Sequence, residues 1–212
     1  MRVDPDLRFE RRLWKSGLKY VAGMDEAGRG ALAGPVAVGA VILPSDRTLR
    51  KARAPLRELG GVRDSKQMRP SEREAAEPHI KECAVAWAVG FASAEEIDSD
   101  GIVAATRLAA LRAVEQLAIF PEYLLTDFRL ELPELDVSQT ALVKGDARCL
   151  SIAAASVLAK TARDALMREM DSQVPGYGLS RHKGYGTAAH LMALRQMGQS
   201  AIHRKSFAVK GL

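Results

Sequence analysis

Two adjacent carboxylates, Asp25 and Glu26, follow an apolar run over residues 20–24 and precede a glycine-flanked arginine. Carboxylates this close repel each other when both are charged, and a divalent cation relieves the repulsion. Because hard cations such as Mg²⁺ take oxygen ligands, the pair is a candidate metal site. The residues alone leave an alternative open, in which both are loop acids paired with Arg29. Neighbouring strand residues face opposite sides, so we expect the strand to end or distort at the pair if both acids serve one site.

Two further acids stand at the ends of apolar or helical segments. Asp127 follows the apolar residues 123–126, and Asp146 precedes an alanine-rich segment. Acids at strand ends on one edge of a sheet are typical of α/β active sites. Each acid also has a structural alternative, since Asp127 could end a strand in a turn and Asp146 could cap a helix. Neither a zinc-binding HExxH motif nor a P-loop occurs in the sequence to compete with these acids.

The elements that would position these acids mix strands and helices without strict alternation, which predicts an α/β fold with a mixed β-sheet flanked by helices. Residues 18–25 and 35–43 are predicted to form a hairpin, and residues 45–66 a polar, basic loop that presents Lys66. Further strands are predicted at 83–92, 123–126 and 141–143, and helices within 1–17 and at 93–117, 148–170 and 187–197.

Two S-x-x-E patterns mark helix starts as capping boxes, Ser71 with Glu74 and Ser93 with Glu96. Pro78 falls inside the first of these helices and should kink or end it. The small residues 153–156 should allow the 148–170 helix to approach a neighbouring element closely.

Composition excludes several classes of protein. The chain has 212 residues, 47% of them hydrophobic, which suits one α/β domain, or one domain with a small appendage, and argues against a largely disordered protein. A net charge of +5 suits a polyanionic partner, while 5% aromatic content argues against a broad base-stacking surface. Cys83 and Cys149 form no CxxC pair and are expected to be buried thiols. The charged start and the lack of any membrane-length apolar run predict a cytoplasmic protein without membrane contact.

Several segments in combination resemble ribonuclease HII, the type 2 ribonuclease H. They are MDEAGRGALAGPV at 24–36, DSK at 64–66, LLTDFRL at 124–130, KGDARCLSIAAASVLAK at 144–160, HKGYGT at 182–187 and IHRKSF at 202–207. The combination and order of these segments are specific, and the similarity spans nearly the whole chain. It favours the metal-site interpretation of the acids over their structural alternatives.

The resemblance implies a ribonuclease H-like α/β fold. Its parts would be an N-terminal helical segment (1–17), a catalytic domain (18–170) and a C-terminal helical and loop region (171–212) that completes the substrate site. It also implies a set of catalytic carboxylates that bind two Mg²⁺ or Mn²⁺ ions: Asp25, Glu26, Asp127 and Asp146.

The implied reaction is hydrolysis of the RNA strand of RNA·DNA hybrids, including single ribonucleotides embedded in duplex DNA, with 3′-hydroxyl and 5′-phosphate ends. Such an enzyme would take part in removing ribonucleotides from DNA. The loop Gly28-Arg29-Gly30 would read the ribose 2′-hydroxyl, which distinguishes RNA from DNA. Tyr185 would pack on the adjoining deoxyribose, and Lys66 and Arg29 would hold phosphates. Tyr185 and Lys66 also have structural alternatives, as a packed loop aromatic and a solvated loop residue.

Two related functions compete with this interpretation. Ribonuclease HIII is disfavoured by the GRG loop and by the lack of an extra N-terminal domain in this sequence. A non-catalytic hybrid-binding module on the same fold is disfavoured because all of the implied carboxylates are present. We expect a monomer without a sliding-clamp tether, since the C-terminal tail has no glutamine-led aromatic motif and no exposed apolar repeat is evident.

Overall fold

The computed structural model describes residues 4–45, 56–127 and 130–208, so part of the predicted 45–66 loop and residues 209–212 of the tail lie outside the described residues. The strands are β1 (Val21–Ala27), β2 (Val36–Ile42), β3 (Ala86–Ala92), β4 (Tyr123–Asp127) and β5 (Ser138–Leu142). The helices are α1 (Arg8–Lys15), α2 (Pro70–Cys83), α3 (Ala94–Glu115), α4 (Leu150–Gln173), α5 (Leu179–His182) and α6 (Ala188–Met197).

The strands form one mixed sheet in the order β3-β2-β1-β4-β5. β1 pairs antiparallel with β2 and parallel with β4, so β1 lies at the centre of the sheet. β3 pairs antiparallel with β2, and β5 pairs parallel with β4. The predicted hairpin and the mixed sheet are therefore confirmed.

Helices cover both faces of this sheet. On one face, Met24, Val38 and Ile42 pack against the apolar side of α3. On the other face, Val41 and Leu43 pack against α2 and the small residues of α4. The side chains of β1 are buried on both sides, which explains why its apolar run is nearly continuous.

Small residues bring α4 unusually close to the sheet. A Cβ atom added at Gly23 would lie 2.3 Å from the carbonyl carbon of Ser151, and one added at Gly39 would lie 2.3 Å from the oxygen of Ala155. Residues 153–156 of α4 are all buried, as their alanine-rich sequence predicts. The close approach matters for function because α4 then lies directly over the strand that carries Asp25.

The start of α2 differs from the prediction. The helix begins at Pro70, and Glu72 accepts a 2.6 Å hydrogen bond from the backbone N–H of Arg69, so the Ser71–Glu74 capping box is wrong. Proline suits the first helical position because its missing N–H has no partner there. The helix does not end at Pro78 but continues to Cys83, and β3 therefore begins at Ala86, after the predicted position.

The second predicted capping box is confirmed. Ser93 Oγ accepts a 3.1 Å hydrogen bond from the N–H of Glu96, whose carboxylate accepts a 2.8 Å bond from the N–H of Ser93. Cys83 and Cys149 are buried, as predicted, and are not joined by a disulfide. Across the described ranges, none of the helices has the length and apolar character to cross a membrane. The division at residues 17 and 170 stays a prediction, and α4 continues past residue 170 to Gln173.

Candidate active site

The sheet brings the predicted acids to one edge. Asp25 and Glu26 lie near the end of β1, and Asp127 ends the parallel neighbour β4. Because Met24 is paired with Thr126, Asp25 and Asp127 follow at adjacent places in the register. Asp146 lies in a 3₁₀ turn, Gly145–Ala147, that precedes α4. The four acids thus come from two strands and one turn.

The expectation that β1 ends or distorts at the acid pair is wrong. Asp25 and Glu26 stay in register with Gly39 and Val38 of β2, and the strand continues to Ala27. Because backbone pairing with β2 is unbroken, the two side chains leave opposite faces of the sheet. Asp25 faces α4 and is 2% exposed, whereas Glu26 is partly exposed. The pair can serve one site because it lies close to the edge, where the charge of Asp127 also acts to raise the pKa of Glu26.

Burial makes the charged forms of these acids unfavourable. Burial, followed by the charge of Glu26, raises the pKa of Asp25 well above its usual range, although a hydrogen bond with Ser156 acts in the opposite direction. Burial also raises the pKa of Glu26, against the lowering effect of Arg29. The pKa of Asp146 is raised to about 6 by burial and by the charges of Asp64 and Asp127. A cation at this edge would reverse each of these shifts.

The residues at this edge fit a divalent ion. The donor atoms are all carboxylate oxygens, which hard cations prefer. Oε2 of Glu26 is buried and has no hydrogen-bond partner among the described residues, as an oxygen intended for an ion would be. A buried carboxylate oxygen without a partner is costly, so a ligand for it is physically expected.

The carboxylate oxygens of the four acids lie farther apart than the oxygens that bind a single ion. Within residues 4–45, 56–127 and 130–208, one group of three His, Cys, Asp or Glu residues has its ligand atoms within 4.8 Å of one another. This group is Glu58, His79 and Glu82, and all three residues are exposed. The four predicted acids are spaced more widely than this surface group. Oxygens around one Mg²⁺ lie about 2.1 Å from it, so three of these acids could share one ion only after their side chains rotate.

Lys66 lies beside the acids, and its predicted role in holding a phosphate stays a prediction. It lines an open cleft of about 490 Å³ together with Asp64, Asp127, Lys144 and Asp146. Partial burial lowers the pKa of Lys66, but the charges of Asp25 and Asp146 outweigh this effect and raise it overall. The exposed ammonium group is therefore held in its charged form beside the carboxylates.

Two residues at the site were not predicted from the sequence. Asp64 accepts a 2.9 Å hydrogen bond from the N–H of Lys66 and raises the pKa of Asp146 by its charge and by a hydrogen bond. Ser156 donates a 2.8 Å hydrogen bond to Ser65 and also bonds Asp25. Both residues stand in segments that carry the resemblance, DSK and AAAS, but the segments alone give no role to either side chain.

The GRG loop begins one residue after β1. Gly28 has φ +88°, and a Cβ atom there would lie 1.9 Å from Nε of Arg163, whereas Gly30 has open space around it. Gly28 is therefore required by crowding from within the protein, whereas no such crowding requires a glycine at position 30. Nη1 of Arg29 lies 3.8 Å from Oε1 of Glu26, so the alternative of an Arg29 ion pair holds for Glu26. Among described residues, no ion pair within 4 Å involves Asp25.

Tyr185 lies next to this loop and is partly exposed. Nζ of Lys160 is 5.3 Å from the centre of the Tyr185 ring, and Cζ of Arg163 is 5.5 Å from it. The residue before it, Gly184, accepts a 2.8 Å hydrogen bond from the N–H of Leu32. The ring thus lies near Arg163, whose guanidinium packs against Gly28, and its proposed sugar contact stays a prediction.

Comparison with known proteins gives one family. The family model described as Ribonuclease HII matches residues 22–210. Ribonuclease HII of Desulfitobacterium hafniense (strain Y51) is 50% identical over 207 residues, which cover 98% of this chain and 75% of the relative. Ribonuclease HII of Dehalococcoides mccartyi (strain ATCC BAA-2266 / KCTC 15142 / 195) is 48% identical over 206 residues, covering 97% of this chain and 94% of the relative.

A solved structure supports the same assignment. The structure of the complex between PCNA and RNase HII from Archaeoglobus fulgidus aligns with a TM-score of 0.72 and 25% identity, over 90% of this chain and 96% of that one. The mixed sheet described above is thus a ribonuclease H-like fold. The chain therefore belongs to the ribonuclease HII family: it is a metal-dependent endoribonuclease that acts on RNA–DNA hybrids.

Proposed function

We propose that this enzyme cuts not only long RNA stretches in hybrids but also single ribonucleotides embedded in duplex DNA, and so takes part in ribonucleotide removal. One observation carries the proposal: the carboxylate edge and the GRG loop are joined, since Arg29 lies 3.8 Å from Glu26. A loop that contacts a single ribose would therefore place the adjoining phosphodiester beside the acids.

The acids Asp25, Glu26, Asp127 and Asp146 are proposed as ligands of two Mg²⁺ or Mn²⁺ ions. The raised pKa values of three of them and the unpartnered oxygen of Glu26 support this assignment. Two ions supply activation of a water nucleophile and stabilisation of the leaving oxygen, which gives 3′-hydroxyl and 5′-phosphate ends. Several carboxylates are needed because two cations held close together repel each other.

Basic residues around the acids are proposed to hold the phosphate backbone. Lys66 and Lys144 line the same cleft as Asp127 and Asp146, and Arg29 extends from the neighbouring loop. Contacts of this kind give affinity without base preference and should weaken with salt. This agrees with the net charge of +5.

The remaining substrate contacts are proposed for the sugar. The GRG loop would read the 2′-hydroxyl, with Gly30 as the point of close approach because space around it is open. Tyr185, held beside the loop, would pack on the next deoxyribose. An aromatic face suits a deoxyribose, which lacks the polar 2′ group.

The proposal also covers the oligomeric state of the enzyme, its location and its binding to a sliding clamp. We infer that the enzyme acts as a monomer in the cytoplasm, without a sliding-clamp tether. Size-exclusion chromatography with light scattering tests whether the enzyme is a monomer, and a binding assay with a purified sliding clamp tests whether it lacks a tether.

The test of the metal mechanism uses a labelled RNA·DNA hybrid with Mg²⁺, Mn²⁺ or chelator. We expect products only when metal is present. A DNA polymerase should extend them, which shows a 3′-hydroxyl, and a phosphatase should change their gel mobility, which shows a 5′-phosphate. Cleavage that persists in chelator, or products with 2′,3′-cyclic phosphate ends, would contradict the two-ion mechanism. Binding without cleavage at any metal concentration would favour the hybrid-binding module.

A further inference from the structure

The GRG loop packs against the guanidinium groups of Arg163 and Arg204, two side chains that are fully buried. The acids whose charges act on them are bound elsewhere: Asp164 pairs with Arg73 and Lys160, and Asp98 accepts hydrogen bonds from the N–H groups of residues 205 and 206. The two guanidiniums instead donate to main-chain carbonyls. Burying a cation without a carboxylate partner is costly, so the hydrogen bonds to these carbonyls must compensate for the lost hydration.

Arg204 binds the first two residues of the GRG sequence and Gly34, which follows it in the chain. Its Nη2 donates to the carbonyl of Gly28 at 2.8 Å, its Nη1 to the carbonyl of Arg29 at 2.9 Å, and its Nε to the carbonyl of Gly34 at 2.9 Å. The main-chain N–H of Arg204 also donates to Leu32 at 2.9 Å. A planar guanidinium offers several donors in a fixed fork, which neither Lys nor Gln can reproduce.

Two of these bonds fix the direction of the N–H groups in the loop. In a trans peptide, the C=O of one residue and the N–H of the next point in opposite directions. Because the carbonyls of Gly28 and Arg29 point to Arg204, the N–H groups of Arg29 and Gly30 point away from it. Arg29 is partly exposed and Gly30 is exposed, so this side of the loop reaches solvent. Within the described part of the chain, neither N–H has a hydrogen-bond acceptor.

The charge of Arg204 also strengthens these donors. A hydrogen bond from a cation polarises the peptide group that accepts it, and polarised amides are better donors at their other end. Arg163 supports the same arrangement from the side, since its Nε would lie 1.9 Å from any Cβ at Gly28. It also donates to the carbonyls of Ala33 and Pro35 at 3.1 and 2.8 Å.

We propose that Arg204, near the C-terminus, is the positioning residue for ribonucleotide selection: it turns the N–H groups of Arg29 and Gly30 outward, so that they can donate hydrogen bonds to the oxygen of a ribose 2′-hydroxyl. The inference rests on the proposed cleavage at embedded ribonucleotides and adds the residue that sets the loop's specificity. Arg204 does not touch the substrate in this account. It acts through the loop, and its loss should change preference for ribose more than affinity for DNA.

The test compares binding of two duplexes in Ca²⁺ without catalysis, one all-DNA and one with a single ribonucleotide. Arg204→Lys keeps the positive charge but removes the forked donors. Arg204→Gln keeps two donors and removes the charge. Thermal melting first shows which of the two variants is folded, and the folded variants are then measured. The control is Arg112→Lys, which alters an arginine bound to the carbonyl of Phe91 and to Glu96, away from the loop.

The ribonucleotide preference, expressed as the ratio of the two dissociation constants, should fall about 10-fold in the Arg204 variants, as expected for loss of one or two hydrogen bonds. Affinity for the all-DNA duplex should stay within about 2-fold, and Arg112→Lys should keep the wild-type ratio. An unchanged ratio, or an equal loss of affinity for both duplexes, would overturn the role of Arg204. If the wild-type enzyme itself neither prefers nor cuts the ribonucleotide duplex, the proposed function fails instead.

Discussion

The backbone N–H of Gly145 donates a 2.7 Å hydrogen bond to Oδ1 of Asp127. This bond joins the end of β4 to the turn that carries Asp146, so the two acids are held by one local contact. A Cβ atom at Gly145 would lie 3.2 Å from that same oxygen, so the glycine is what allows the turn to approach. One oxygen of Asp127 is thereby oriented by the protein, and the carboxylate is preorganised for its role at the edge.

Replacing Asp25 by Asn should abolish cleavage, with a loss of at least about 10³-fold in kcat, because it removes an anionic oxygen while keeping the side-chain volume. The fold should survive, since burial already disfavours the charged form of this group. Single-turnover cleavage of a hybrid, together with a thermal melt in chelator, measures both effects. Asp171→Asn, which alters an acid bound to the N–H of Leu179, is the matched control and should retain cleavage. Near-normal turnover of Asp25→Asn would rule out its metal role.

In chelator, Asp146 should make the protein less stable as the pH rises from about 4 to 6. Its pKa is about 6 in the folded state against an ordinary value of 3.8, so the folded state binds more protons than the unfolded state between these values. Raising the pH therefore favours unfolding, by on the order of 2–3 kcal/mol for a shift of this size.

Chemical denaturation of the wild-type protein and of Asp146→Asn, at about pH 4 and about pH 7, isolates this contribution. The wild-type free energy of unfolding should fall relative to the variant as the pH rises. Adding Mg²⁺ at neutral pH should restore wild-type stability and leave the variant less affected. Parallel pH dependence in the two proteins would mean that Asp146 is not perturbed in this way.

Asp64 should tune the pH dependence of the reaction. Its charge and hydrogen bond raise the pKa of Asp146, so Asp64→Asn should let Asp146 ionise at lower pH. The acidic limb of the kcat/KM profile should therefore move to lower pH. Asp64→Glu, which keeps the charge, should keep the limb close to its wild-type position. If both variants moved the limb equally, Asp64 would be supporting only the turn that carries Lys66.

Tyr185→Ala should reduce cleavage at a single embedded ribonucleotide by about 10-fold or more, and cleavage of long hybrids by less, because a ring packed on a deoxyribose contributes on the order of 1–2 kcal/mol. Tyr185→Phe keeps the ring and should retain most of the activity on both substrates. The measurement is kcat/KM for the two substrates side by side. Equal losses on both would indicate that Tyr185 only supports the loop around Gly184.

Much of the fold could be predicted because its signals are local. The apolar runs that became β1, β2 and β4, and the Ser93–Glu96 capping box, depend on residues close together in the chain. The continuation of β1 through Asp25 and Glu26 could not be predicted, because it depends on pairing with Gly39 and Val38 of a neighbouring strand. Pairing across the sheet outweighed the local signal of two adjacent charges.

The site shows the same division between local and distant causes. Sequence motifs pointed to the acids, Lys66 and the GRG loop, because each occupies a recognisable segment. Arg204 could not be linked to Gly28, since the two are joined only by the folding of the C-terminal region onto the loop. The crowding at Gly28 could not be predicted for the same reason: the atoms that crowd it belong to Arg163 of α4.

The most direct test of the central claim is cleavage of a labelled DNA duplex that carries one ribonucleotide, with Mg²⁺, Mn²⁺ or chelator. We expect a metal-dependent nick on the 5′ side of the ribonucleotide, and intact all-DNA duplex under the same conditions. Cleavage of long hybrids without this nick would contradict the proposed roles of the GRG loop and Tyr185 and leave the carboxylate site in place. Binding of the duplex without any cleavage would contradict the account as a whole.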